Sequence, residues 1–417
     1  MVSSPDPRKE PRIPRNLLAV SLTSFFTDIS SEMIVHLLPL FLTNVLGAAT
    51  SVIGLIEGIA ESTASLTRLF SGWLSDRLGK RKGLTVLGYS LSASSKPFFL
   101  LANSWPLVLL LRFFDRLGKG IRTAPRDALV ADSIRAENRG AGFGLHRAAD
   151  TAGATIGLLV AALVTYAAGA SAVTLSGSTF HLMVILSIIP AALGVGSLIL
   201  LAREVPKPAT TLSSPDQAVK TPAAPARKFS PRLIGFFVVV ALFTLGNSSD
   251  SFLVLRAQNR GLSVFEVMLA LFVFNLVYTL VSIPAGRRSD KVGRGRVILG
   301  GWIIYAIVYL GFALAGASWQ IWILYAMYGL YYAMVEGTAR AYIADLAAPE
   351  ARGTAYGIYN AAVGIMAFPA SFIAGILWQG ISTWGGFGAS APFFFGAVLA
   401  VFAAALLAFW VPRLAKE

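Results

Sequence analysis

Gly72-Trp73-Leu74-Ser75-Asp76-Arg77-Leu78-Gly79-Lys80-Arg81-Lys82 is a short, basic, glycine-punctuated segment set between two long apolar runs. In a water-soluble protein it would be an ordinary solvated turn. Between two membrane spans it carries topology, because Lys and Arg resist translocation and hold a loop on the cytoplasmic side. Gly72 and Gly79 permit a tight reversal there, and Asp76 is placed to interact with a helix end. The pattern returns as Gly286-Arg287-Arg288-Ser289-Asp290-Lys291-Val292-Gly293-Arg294-Gly295-Arg296. Asp290 follows Asp76 by 214 positions (290 − 76), about half of a chain of 417 residues.

The rest of the composition agrees with a membrane reading. The chain is 55% hydrophobic and only 13% charged, whereas soluble domains carry about 25% charged residues. A spanning helix needs roughly 20 apolar residues, so there is room for about twelve spans with short loops. The net charge of +14 does not point to nucleic acid, because the basic residues mostly sit in short loops and tails, where retention on the cytoplasmic side accounts for them. The absence of cysteine excludes disulfides and thiolate metal sites. The stretch 1–15 is polar and basic, and the apolar run behind it is too long for a cleavable signal peptide.

Apolar runs fall near 17–45, 50–72, 84–103, 106–133, 140–168, 179–202, 233–256, 264–286, 297–316, 319–345, 353–379 and 391–412. Lys and Arg occupy alternate connections, apart from Arg256 and Arg260, which places both termini in the cytoplasm. This divides the chain into a cytoplasmic tail (1–16), a six-helix bundle (17–202), a Pro/Ala/Ser/Thr-rich linker (203–232), a second six-helix bundle (233–412) and a short tail (413–417). The halves echo each other beyond the basic turn. Asp132 to Arg139-Gly140 is matched by Asp345 to Arg352-Gly353.

The stretch from Gly72 to Lys82, with its degenerate copy half a chain later, resembles the signature loop of the major facilitator superfamily. Thr27-Asp28-Ile29-Ser30-Ser31-Glu32-Met33-Ile34 and Asp115-Arg116-Leu117-Gly118-Lys119-Gly120-Ile121-Arg122 resemble a bacterial subgroup of that superfamily, and the likeness covers nearly the whole chain. The resemblance implies an all-α membrane protein of twelve transmembrane helices in two pseudo-symmetric six-helix bundles. It further implies that the first, fourth, seventh and tenth spans line a central cavity. Two motifs depart from the proton-linked exporters of the superfamily. Asp115 and Arg116 stand where those have Gln-Gly, and Leu158 follows Gly157 where they have proline. Both departures point to a substrate more polar than a lipophilic drug.

Charge inside a span costs a few kcal/mol and therefore faces a cavity or a partner. On the first span Asp28, Glu32 and His36 recur every fourth residue. On the fourth, Arg112, Arg116, Lys119, Arg122 and Arg126 occupy roughly a third of the helix circumference. The fifth span adds His146, Arg147 and Asp150, and the seventh Asn247 and Asp250. The tenth carries Tyr325, Tyr328, Tyr332, Glu336 and Arg340 along one stripe. These charges either neutralise one another and join the halves, or serve transport.

On the transport reading, Arg122, Arg126, His36, Asn247, Tyr325, Tyr328, Tyr332 and Arg340 bind the solute, and Asp28, Glu32, Glu336 and Asp150 carry protons. Gly72, Asp76, Arg77, Gly79, Arg81, Asp290 and Arg112 form the cytoplasmic gate. The expectation is a proton-coupled secondary transporter of the bacterial inner membrane, acting as a monomer in the lipid bilayer without cofactor or nucleic acid. It moves a small anionic or zwitterionic organic solute, with export favoured. Asp28, Glu32 and His36 also suggest a metal ion or chelate as cargo. A non-transporting sensor or a lipid scramblase is the rival from another class; the former wants an appended soluble domain and the latter no coupling carboxylates. An enzyme is not indicated, since no triad setting or phosphate-binding glycine loop is present.

Overall fold

The computed structural model describes residues 13–135, 138–205, 229–348, 351–411 and 413. They are helical, with no β-strand among them. In chain order the helices are α1 (Arg15–Val45), α2 (Thr50–Leu78), α3 (Arg81–Ser95), α4 (Trp105–Asp132), α5 (Arg139–Gly169) and α6 (Gly177–Leu201). The second half continues with α7 (Pro231–Asn259), α8 (Val264–Val292), α9 (Arg294–Leu314), α10 (Ser318–Leu346), α11 (Arg352–Gln379) and α12 (Ala391–Phe409). Eight of them are long and apolar enough to cross a membrane on length and composition alone. The others are α2 and α4 with their charges, α10 with its tyrosines, and the short α3. The linker expected at 203–232 lies mostly outside the described residues.

The helices start where the sequence supplies caps. Ser263 and Glu266 form a reciprocal capping box on α8, and Pro106, Pro231 and Pro392 occupy first turns, where a missing N–H costs nothing. Two helices are interrupted in mid-course. α1 loosens at His36 and Leu37 because Pro39 cannot donate to the carbonyl four residues back. α7 stops at Gly246 and restarts at Ser251. The polar run Asn247-Ser248-Ser249-Asp250 competes with its own backbone there. Neighbouring helices take up the freed groups, as a bilayer interior demands. Tyr305 donates to the Gly246 carbonyl (3.0 Å), and the Ser249 N–H donates to Ser371 Oγ (3.1 Å).

α1 packs on α5 and α6, α4 on α2 and α3; in the second half α7 packs on α11 and α12, and α10 on α8 and α9. Two seams join the halves, α2 against α11 and α5 against α8, and the sequence repeat interchanges them. At the end remote from the basic turns, Asn44 and Gln258 exchange side-chain hydrogen bonds (2.7 and 3.2 Å). They are 214 positions apart, the same offset as the two signature aspartates.

One expectation about the signature segment needs correcting. α2 runs straight through Gly72 and Asp76, and only Gly79 makes the reversal, as a left-handed residue at φ 63°. A helix satisfies its own backbone, so charge at the bilayer edge does not end it; the left-handed glycine does. Gly72 instead lets α4 approach, since an added Cβ would stand 3.3 Å from Ala124. Asp76 meets Arg81 (3.7 Å), which also grips Asp132 at 2.9 Å. The second copy repeats the arrangement, with Arg294 bridging Asp290 (3.6 Å) and Asp345 (2.8 Å). Arg77 points away and lies over the exposed Trp73 ring.

Candidate functional site

A cavity of about 350 Å³ lies where both broken helices meet the charged faces of α2 and α4. α1 supplies Glu32 and His36, α2 supplies Glu57 and Glu61, and α4 supplies Arg112, Arg116 and Lys119. From the second half come Asn247 to Ser251 at the α7 interruption, Tyr332 of α10, and Val363, Ala367 and Ser371 of α11. His36 and Asp250 sit at the two interruptions, again 214 apart (250 − 36), so the repeat brings equivalent positions to one chamber.

Most of the charge is paired. Arg112 donates to both Glu57 oxygens (3.0 and 2.8 Å), with both side chains about 95% out of solvent. Arg116 lies between Glu61 (3.4 Å) and Asp115 (3.9 Å). His36 Nε2 and Glu32 Oε2 are 2.9 Å apart. Tyr328 donates to Asp250 Oδ1 (2.7 Å). Lys119 is exposed into the cavity and, among the described residues, makes no ion pair. No group of three or more His, Asp or Glu side chains fit to hold a metal ion occurs among them either.

The structure redistributes the residues singled out from sequence. Glu32, His36, Asn247 and Tyr332 line the cavity, and Tyr328 reaches it through Asp250. Arg122 and Arg126, expected to bind solute, do not line it. Arg122 is buried against α3, donating to Ser92 Oγ (2.6 Å) and stacking over Tyr89 (4.4 Å), while Arg126 folds back on Asp127 (2.8 Å). The cause is the close approach of α3 and α4 at Gly88 and Gly118, which brings hydroxyl and ring partners to that part of the stripe. Tyr325 is buried against Phe312. Arg112, assigned to the gate, is a cavity residue.

Glu336 and Arg340 (3.8 Å) belong to another cluster, across the α5–α8 seam. There Tyr278 donates to Glu336 (2.6 Å), and Arg147 reaches Tyr278 (3.1 Å) and Glu336 (3.6 Å). Asp150 lies 3.6 Å from His146 on α5 and outside the cavity. Asp28 has Asp150, Glu32, Arg122 and Lys119 as its electrostatic neighbours, one turn below the cavity wall. Sequence reasoning passed over Lys96, a buried ammonium that donates to Ser30 (2.5 Å) and Ser31 (3.2 Å) of α1. It also left Glu57 and Glu61 away from the chamber, and gave Arg116, Lys119 and Asp250, which it placed there, no role. The signal for Asp250 was present, a polar run inside an apolar helix.

A cavity lined from both halves, between interrupted helices, defines a membrane transporter by its form, and the comparisons name the family. The model of the Major Facilitator Superfamily matches residues 20–255 and 235–417, and the chain belongs to that family. An MFS-type transporter of Methanocaldococcus jannaschii is 37% identical over 401 residues, covering 95% of this chain and 94% of its own. The crystal structure of a bacterial homologue of the human lysosomal transporter Spinster superposes with a TM-score of 0.75 at 17% identity, covering 98% of this chain and 99% of that one. The multidrug resistance protein MdtH of Photorhabdus laumondii is 34% identical over 115 residues, 28% of each chain. The protein is thus a multi-pass membrane protein and a transporter of this superfamily, not an enzyme.

Proposed function

We propose that this chain is a proton-coupled secondary transporter that exports a small polar organic solute across the cytoplasmic membrane by alternating access. Twelve spans form two six-helix bundles, 17–202 and 233–412, which rock about the shared cavity as a monomer with both termini inside. The observation that carries the reading is the chamber itself, with ionisable groups from α1, α2, α4 and α7 converging among apolar helices. Lipid makes such groups costly, so they are kept where they bind or move charge. Glu32 and His36 share one hydrogen bond on the cavity wall, and Asp28 lies a turn away; these are the proton carriers. The partial likeness to MdtH supports export.

Asp28→Asn and Glu32→Gln test the coupling. In proteoliposomes, substrate-induced proton movement, read with an internal pH dye, is expected to fall at least tenfold in each, about 1.4 kcal/mol or more. Unchanged proton movement in both variants rejects the assignment. Orientation is tested separately by single cysteines. In intact cells those at Ser104 and Thr383, both exposed, are expected to react with an impermeant maleimide. Those at Lys80 and Lys291, equally exposed at the basic turns, are expected to stay unlabelled; the reverse pattern inverts the topology.

A further inference from the structure

We infer that the solute is dipolar, with a carboxylate held by Lys119 of the first half and an ammonium held by Asp250 of the second. The inference rests on the transport reading and names the substrate class of the same cavity. It comes from what remains after the fixed charges are matched. Arg112 is paired with Glu57, Arg116 with Glu61 and Asp115, and His36 with Glu32. Two cavity groups are left over, one of each sign. Lys119 is exposed into the chamber and makes no direct ion pair among the described residues, its carboxylate neighbours Glu61 and Asp28 standing beyond contact distance. Asp250 accepts one hydrogen bond, from the neutral Tyr328; its charged neighbours are His36, already held by Glu32, and the carboxylates Glu61 and Glu57, so no cation is left to pair with it.

A buried site that keeps one cation and one anion unmatched is best neutralised by a ligand carrying both. The two poles differ in character. Beside Asp250 the ring of Tyr332 lines the cavity, held edge to face at 5.1 Å by the buried Tyr328, and offers an ammonium ion an aromatic surface as well as the carboxylate. Lys119 gives a point charge with rotatable donors and suits a carboxylate. Val35, Val363 and Ala367 line the space between with apolar surface. A volume of about 350 Å³ suits an amino acid or a dipeptide. Because the poles lie in different halves, a dipolar solute ties the halves together, whereas a singly charged one engages one half only.

The test uses three dipolar probes, L-phenylalanine, alanylphenylalanine and γ-aminobutyrate, each beside its methyl ester and its N-acetyl derivative. Binding to full-length protein in nanodiscs is read by isothermal titration and by thermal shift. At least one dipolar probe is expected to bind ten times or more tighter than both of its derivatives. Lys119→Gln is expected to erase its advantage over the ester and keep its advantage over the acetyl form. Asp250→Asn is expected to do the opposite, and the double variant to erase both. Preserved thermal melting of the parent and a single size-exclusion peak guard against misfolding. Equal binding of an ester or acetyl form in the parent, or no binding of any dipolar probe, overturns the inference. Binding with the expected preference but without proton movement fails the coupled-transport reading and leaves the two-pole site standing. Proton movement driven by a singly charged solute does the reverse.

Discussion

Arg112→Met is expected to destabilise the protein by roughly 3–5 kcal/mol, the largest loss expected from any single substitution at the cavity. The reason is what it leaves behind. Glu57 keeps a carboxylate that is 95% out of solvent, in a helix flanked by lipid and by α11, with both hydrogen bonds gone. Asp115, 3.6 Å from Arg112, loses that contact as well and retains the longer one with Arg116 and the more distant charges of Lys96 and Arg122. Glu57→Leu alone is expected to cost a similar amount by orphaning the guanidinium. The double variant Glu57→Leu/Arg112→Met removes both charges and should recover more than half of the loss, because the pair as a whole is worth little against apolar groups of similar size. Thermal melting in detergent, followed by size-exclusion chromatography, gives the three values. A double variant that melts as low as the singles would show that the pair does more than cancel itself. Transport by a stable double variant would mark the pair as scaffold; its loss with stability intact would place the pair in solute handling.

How the cavity reads from sequence turns on depth along a helix. The stripe from Arg112 to Arg126 was legible, since spacings of three and four residues fix a common face. Its division was not. Residues 112, 116 and 119 meet an open chamber, while Arg122 meets Ser92 and Tyr89 on the tightly packed α3. Periodicity gives an angle around a rod and nothing about what stands opposite at each height. The same limit misplaced Tyr325, Glu336 and Arg340, one stripe whose members face a buried aromatic cluster or the α5–α8 seam. The all-helical membrane fold and its family were present in the basic turns and the apolar runs, because length and charge bias are averaged over many residues. The interruption of α7 depended on four residues and was read only as two polar side chains. The offset of 214 carried more than the signature turn, since it also relates Asn44 to Gln258 and His36 to Asp250.

Gly375→Leu is expected to abolish transport, by at least tenfold, while leaving the protein folded. α2 and α11 lie so close that an added Cβ at Gly375 would stand 2.5 Å from the Thr50 carbonyl oxygen. One at Gly58 would meet the Phe368 carbonyl at 2.9 Å. This seam also holds the Thr50 N–H on Gln379 (2.9 Å) and the Thr50 hydroxyl on the Gly375 carbonyl (3.3 Å), so it shuts the end remote from the basic turns. Overpacking a close contact costs about 1–3 kcal/mol. Rocking halves can escape that cost by parting here, so the substitution acts on the balance between two states more than on folding. A bias of about 2.8 kcal/mol shifts that balance a hundredfold, enough to hold the remote end open. The reporter is Ser371→Cys, whose parent side chain is 2% exposed. In the Gly375→Leu background the introduced thiol should become reactive towards a reagent added from the remote side, while staying protected without the leucine. Gly58→Leu should act in the same direction. Gly357→Leu is the control, since a Cβ there meets nothing closer than Leu69 at 3.7 Å, and it should transport normally. Protection of the reporter thiol in both seam variants, or full transport by Gly375→Leu, would mean that α2 and α11 do not separate at this end, and the rocking of the halves would have to be given up.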